Sequence, residues 1–369
     1  MPKKKLALVG TDGIPARYGG GETLYENIVR GMAGTYDITV YCSKTQPRDE
    51  VGDSYLGARL KYWNLKGNGW QSIIYDSVSI FHAAKYADII YTFGPACAIA
   101  VLILRLFGFR KPIYMNCSGL NEWEREKFSK PAKAYLKWGY KALKGKVTYL
   151  ADNELYARSL KSEFGITDIV VIRYGGDNAV KVPPTTELLS KYPFLEEDYY
   201  VSVSRAQIDN NLHVVLEAFA AMPERKLVLV SNFKVSSYGQ ELYEKYKDYP
   251  NMVLIPGIYD QTELNAVRSN AYAYIHSHSR CGTPPSLCEA MNLGLPVFSY
   301  DVEVNHEVTA ENAVFFASAE DLVRGVRQSS REHLTQLAAA SYAHARKELT
   351  WEHIWGQYES LFESKTVGA

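Results

Sequence analysis

Residues 274–289, YIHSHSRCGTPPSLCE, gather two histidines, several small hydroxyls, two thiols and a carboxylate at one break in the chain. The apolar start reads as a buried strand, Gly282 to Pro285 as a turn, and Ser286 onward as a helix. A helix N-terminus beside a small-residue turn presents backbone amides to an anion such as a diphosphate. On its own, Thr283-Pro284-Pro285 reads equally well as a stiff loop. A second segment points the same way. Residues 201–219, VSVSRAQIDNNLHVVLEAF, form a strand ending in Ser204-Arg205, a polar loop, and a helix with Leu212, Val215, Leu216 and Phe219 at helical spacing, which would put Arg205 at the mouth of the same crevice. Near the start, a strand at residues 6–10 leads into TDGIPARYGGGETLYENIV. There Gly19, Gly20 and Gly21 precede Glu22 and a helix, and a glycine run lets backbone approach a ligand that side chains would block.

Other chemistries fit these residues less well. A dinucleotide fold needs GxGxxG after the first strand and an acidic residue closing the second. Here Gly10-Thr11-Asp12-Gly13 has the wrong spacing, Pro15 interrupts, and the second strand ends in Tyr41-Cys42-Ser43. His276, His278, Cys281, Cys288 and His306 lie near one another in sequence, but no spacing among them matches a zinc pattern. They read as polar cleft residues and structural thiols, so no metal is expected. Asp301-Val302-Glu303 reads as a turn after a strand. No serine sits in a GxSxG elbow.

The elements that must hold these residues follow a βαβ rhythm. Apolar strands at residues 36–41, 89–91, 113–116 and 147–150 alternate with helical patterns, and the second half repeats this at 200–203, 227–230, 252–255, 273–276 and 297–300. Two α/β domains are expected, 1–175 and 176–348, with a last helix at 349–369. In open parallel sheets ligands bind beyond the C-terminal ends of the strands. The glycine loop, the Arg205 loop and the Gly282 loop all lie at such ends, and in domains that face each other they converge on one cleft.

The 369 residues suffice for two cores, and 47% hydrophobic with 22% charged residues is a globular balance. The formal net charge of zero argues against a general nucleic-acid binder. Five cysteines without CxxC spacing, and an apolar start that stops at Gly10, suggest reduced thiols and a cytoplasmic protein. Residues 97–104, CAIAVLIL, are too short to span a bilayer and read as a buried helix. Lys130, Lys133, Lys137, Lys141 and Lys144 recur at helical spacing with Tyr135, Leu136, Trp138 and Leu143 on the other side. Such a face either rests on an anionic membrane, through Lys133, Lys137 and Lys141 above all, or is simply solvated.

With these residues in hand, the chain resembles the family 4 glycosyltransferases of GT-B fold, most closely the bacterial branch that includes rhamnosyltransferases of capsule, O-antigen and cell wall. The resemblance runs nearly end to end and is carried by GIPARYGGGETLYE at 13–26, YGGD at 174–177, IYDQTELNAVRSNAYAYIHSHS at 258–279, GTPPSLCEAM at 282–291 and NHEV at 305–308. It implies two Rossmann-like domains facing a cleft, with the C-terminal helix packed back on the first. A dTDP- or UDP-linked sugar donor would be held mainly by the second domain, and a lipid-linked saccharide acceptor by the first. Arg205 resembles the arginine that neutralises the leaving diphosphate, and Asn211 the asparagine that follows it. Glu289 resembles the second glutamate of E-x7-E, which holds the ribose. Gly19, Gly20 and Gly21, with Ser279, Gly282, Thr283, Ser286 and Leu287, would line the donor. Arg17, Tyr18, Glu122 and Arg125 would face the acceptor. The resemblance further implies retention of anomeric configuration with no metal and no further cofactor. Cys281 replaces the first glutamate and Asn210 the usual lysine, as in that branch. HSHSRCGTPPS differs from the branch's HGHSVGGTNPS, and Ser118 stands where it has aspartate.

Overall fold

A computed structural model describes residues 2–16, 20–117 and 129–364. The chain divides into two compact units, Met1–Arg173 with Glu352–Ala369, and Tyr174–Trp351.

The first unit is built on an eight-stranded sheet. From β1 (Lys5–Val9), β2 (Asp37–Cys42) extends to one side and β5 (Ile89–Phe93), β6 (Ile113–Asn116), β7 (Thr148–Ala151) and β8 (Ile169–Val171) to the other, all parallel. Apart from the half-buried edge strand β8, these strands are buried on both faces and are near-continuous apolar runs, as parallel strands under helices must be. Beyond β2 the sheet continues through β4 (Ala58–Tyr62) and ends in β3 (Ser54–Tyr55), antiparallel to β4. Their hairpin turns on Leu56 and Gly57 at φ +49° and +85°. The last helix, α15 (Trp351–Ser364), belongs to this unit for nearly all its length. Trp355 Nε1 donates to Asn27 O at 2.9 Å, and Tyr114 Oη to Leu361 O at 3.0 Å.

The second unit carries a six-stranded, wholly parallel sheet. Its order is β11 (Met252–Pro256), β10 (Lys226–Ser231), β9 (Tyr199–Val203), β12 (Ala273–His276), β13 (Val297–Tyr300) and β14 (Val314–Phe316). Alternate residues feed two core layers: Leu229 and Ile275 join Leu212, Val215 and Phe219 on one face, while Val228 and Tyr274 join Tyr199, Val201 and Ala290 on the other. β9 and β12 are central neighbours, so the loops leaving them lie side by side.

Two sequence expectations fail in the first unit. The apolar run at 97–104 is not a buried helix. In α4 (Ala98–Leu106) the buried residues are Ala98, Ala100 and Val101, while Ile99, Ile103, Leu106 and the following Phe107 are exposed, the last two at 82% and 83%. In α5 (Lys130–Ala142) Trp138 is 43% exposed rather than buried. α4 packs against α3 (Gln71–Ala83) and α5, and its contacts bury Ala98, Ala100 and Val101 while leaving the face of Ile99, Ile103 and Leu106 bare. Gly139 lies so close to Pro95 and Ala98 that an added Cβ would stand 2.8 Å from Pro95 Cβ.

Candidate functional site

In the second unit the site is assembled from the loops after β9 and β12. Ser277 Oγ donates to Asn210 O at 2.5 Å, Asn211 Nδ2 to Ser277 O at 3.0 Å, and the Ser279 amide and hydroxyl both donate to Asp209 O at 3.0 Å. Asn210 Nδ2 closes the first loop on Arg205 O at 2.8 Å. Asn211, with φ +49°, opens α8 (Leu212–Ala220), a left-handed position that asparagine tolerates better than most residues. These bonds commit Asn210 and Asn211 to holding the two loops together. Arg205 projects from this frame with an exposed side chain.

Behind Arg205 lies a histidine pair. Ser204 Oγ and His278 Nε2 share a hydrogen bond of 2.8 Å, and the His276 and His278 rings stand 4.3 Å apart. Burial, and then the positive charge of Arg205, push the His278 pKa down to about 3, and burial pushes His276 well below its ordinary value. Both rings are therefore neutral at physiological pH. Neither ring nitrogen of His276, which is 1% exposed, has a hydrogen-bond partner.

The turn after β12 leads to α11 (Pro285–Asn292). Its N-terminus offers fewer amides than a regular helix, because Pro285 has no N–H and that of Leu287 turns back to Pro284 O at 3.0 Å. Thr283 and Leu287 are buried, so the Leu287 side chain presents nothing to a ligand. The Ser286 hydroxyl bonds the Tyr274 phenol. Glu289 is buried and held from two sides: Arg268 Nη1 lies 2.6 Å from Oε2, and Asn178 Nδ2 donates to Oε1 at 2.8 Å. Arg268 and Asn178 were not singled out from sequence. The carboxylate of Glu289 gave their partner, but the segment bringing Asn178 to it is distant in sequence. Cys288 is buried in α11, and His306 bonds Asp301 and Glu311.

In the first unit the loop after β1 is laced in the same manner. Gly10 has φ +94°, and a Cβ there would stand 2.7 Å from Phe93 N. The Asp12 amide donates to Glu22 Oε1 at 3.1 Å, and Ser43 Oγ donates to Asp12 Oδ1 at 2.6 Å. Gly20 and Gly21 open α1 (Gly20–Met32). A Cβ on Gly20 would meet open space, whereas one on Gly21 would press on Thr11 Cγ2 at 3.2 Å. Beneath the loop, Asp76 on α3 (Gln71–Ala83) is 2% exposed with Oδ1 unpartnered, and burial, then Asp12, raise its pKa well above the ordinary carboxyl value. Arg17, Tyr18, Gly19, Ser118, Glu122 and Arg125 lie outside the described residues. A groove of about 670 Å³ between β8 and α15 is lined by none of the candidate site residues.

Residues 186–346 match the family Glycosyl transferases group 1. That match spans most of the second unit. Residues 3–177, which hold most of the first unit, match a domain of unknown function, DUF1972. Curated proteins give no match to the chain. Among solved structures the chain is similar to sucrose-phosphate synthase from Thermosynechococcus elongatus, with TM-score 0.84, 16% identity and full coverage of both chains. It is also similar to Anabaena HepE, solved with UDP and glucose, with TM-score 0.77, 15% identity, and 98% of this chain and 100% of that chain covered. A glycosyltransferase from Rickettsia africae gives TM-score 0.75 at 14% identity, with both chains fully covered. At such identities the likeness carries the fold. The fold is GT-B, and the match of residues 186–346 to Glycosyl transferases group 1 supports a glycosyltransferase.

Proposed function

We propose that the chain is a retaining glycosyltransferase, needing no metal for its chemistry, that moves L-rhamnose from dTDP-rhamnose onto a lipid-linked saccharide in bacterial surface polysaccharide synthesis. The observation that carries the reading is the pair of cross-bonded loops after β9 and β12, which hold Arg205 beside Ser204, His278 and Ser279 within the glycosyl transferases group 1 domain.

In this reading Arg205 touches the donor diphosphate and stabilises the charge that grows on it as the glycosidic C–O bond breaks. His278, kept neutral, fixes Ser204 without adding charge of its own. Ser279, Gly282 and Ser286 line the donor, while Thr283 and Asn211 act through the loop frame. Glu289, already oriented by Arg268 and Asn178, receives the ribose hydroxyls. The departing phosphate takes the acceptor proton during same-face attack, giving retention. The acceptor falls to the first unit, around the glycine loop.

A UDP-hexose donor is the second reading, because HepE of similar fold was solved with UDP-glucose. Cys281 in place of a glutamate favours a third, a catalytically silent nucleotide- or saccharide-binding subunit. One experiment separates them: thermal shift of the purified chain with dTDP, UDP, GDP, ADP and NAD, followed by transfer assays with the matching sugar nucleotides for the wild type and Arg205→Ala. A melting-temperature rise with dTDP, and a loss of turnover of about 100- to 1000-fold in Arg205→Ala, are expected. A shift with UDP alone moves the donor to UDP-hexose, and binding without turnover on any acceptor supports the silent subunit. Full turnover in Arg205→Ala would show that the diphosphate lies elsewhere.

A further inference from the structure

We infer that His276, His278 and Cys281 form a three-ligand site for a borderline or soft divalent transition metal of the zinc class. One ring nitrogen from each histidine and Cys281 Sγ lie within 4.8 Å of one another. Sequence spacing gives no sign of such a site, since H-x-H-x-x-C follows no zinc pattern. The fold creates it by ending β12 at His276 and turning the next five residues back on themselves.

His276 makes the strongest physical case. A neutral imidazole carries one donor and one acceptor nitrogen, and burying both without partners costs free energy that folding must recover elsewhere. Here both are buried and unpartnered, with the rings of Tyr274 and His278 on either side. A metal ion on one nitrogen supplies the missing partner.

The other two ligands are carried on one frame. Asn305 on α12 (Glu303–Thr309) accepts from Cys281 Sγ at 3.7 Å through Oδ1, while its Nδ2 donates to His278 O at 3.1 Å and Tyr300 O at 2.9 Å. The ligands around a tetrahedral zinc stand roughly 3.3–3.8 Å apart, so the turn closes by about 1 Å when the ion enters. Two imidazoles and a thiolate select zinc, cobalt or copper and reject magnesium, calcium and manganese, which need oxygen. Arg205, close enough to His278 to disfavour its protonation, opposes a bare dication. The thiolate formed from Cys281 removes one unit of that charge. No fourth His, Cys, Asp or Glu joins the group among the described residues, so water or an anion completes the shell. The ion staples the end of β12 to the turn that precedes α11 and takes no part in transfer. This inference stands whether or not the chain transfers rhamnose.

The test is anaerobic Co²⁺ titration of the full-length chain after stripping with a chelator. One equivalent is expected to bind, with a thiolate-to-cobalt charge-transfer band and the visible bands of a four-coordinate ion, both displaced by Zn²⁺. Cys281→Ser should lose the charge-transfer band, and both it and His276→Asn should bind at least about tenfold more weakly. Cys288→Ser, which alters a thiol outside the group, should keep the band and the affinity. Circular dichroism checks that each variant is folded. Binding by the wild type no tighter than by Cys281→Ser, or a charge-transfer band that survives in Cys281→Ser, would overturn the site.

Discussion

At the residue scale, the side chains that chemistry needs are held by neighbours that have no chemical signature. The strand–loop–helix pattern of the sequence puts Arg205 between β9 and α8, where it stands. Its setting could not be read there, because the bonds that Asn210 O accepts from Ser277 and that Asn211 Nδ2 donates to Ser277 O join loops 67 and 66 residues apart. Asp76 in the first unit is the plainest residue-scale liability. Its pKa is raised by folding, so between the ordinary carboxyl value and the raised one the folded chain keeps a proton that the unfolded chain has released. Stability therefore falls as pH rises through that window. Asp76→Asn should remove the slope. Urea denaturation is expected to show it near wild type at pH 3 and more stable by on the order of 1–3 kcal/mol at pH 7. Parallel pH profiles for the two proteins would mean that the carboxyl ionises freely in the fold.

At the element scale, strands with continuous apolar runs were readable, and β2, β5, β6, β7, β9 to β13 stand within one or two residues of where the pattern puts them. The strands that escaped notice, β3, β4, β8 and β14, lie at or next to sheet edges. β3 and β4 carry no apolar run, β4 reading ARLKY, while β8 and β14 are apolar but only three residues long, IVV and VFF. The β3–β4 turn uses Leu56 in place of the asparagine or aspartate that usually marks one. Glycine was read as a sign of ligand approach, yet Gly176 answers to packing between elements. A Cβ there would stand 2.2 Å from the backbone of Cys288 in α11. Gly176→Ala should cost about 1–3 kcal/mol, read as a lower urea midpoint at unchanged slope. An unchanged midpoint would mean that α11 yields easily. The companion bond from Asn178 to Glu289 in the same segment predicts weaker nucleoside diphosphate binding in that variant as well.

At the scale of the whole molecule, each unit has its own sheet and core, and α15 returns the chain to the first. No helix among the described residues is long and apolar enough to cross a membrane. In the first unit Ile99, Ile103, Leu106 and Phe107 on and after α4 are exposed, as are Trp138, Lys137 and Lys141 on the neighbouring α5. Lys137 also lies 3.8 Å from Glu163, an exposed pair that contributes little to stability. Apolar side chains beside cations suit an anionic bilayer surface, where a lipid-linked acceptor would be found. Leu106→Ser with Phe107→Ser, and separately Lys133→Glu with Lys137→Glu and Lys141→Glu, should each reduce co-sedimentation with vesicles containing phosphatidylglycerol, and salt should weaken the wild type. Equal sedimentation of all three proteins would remove the membrane from the proposal.

The sequence by itself determined the class of fold, because the period of its apolar residues leaves a parallel sheet under helices as the way to bury them, and it put the Arg205 and Gly282 loops after strands of that sheet. Tertiary structure decided what touches what. It left α4 half-bare, since an apolar run does not say how many of its sides will find a neighbour. It tied Glu289 to Arg268 and Asn178. It also brought His276, His278 and Cys281 within reach of one ion, because ligand geometry is a property of distances in space, and the turn after β12 brings together residues whose spacing along the chain matches no metal site.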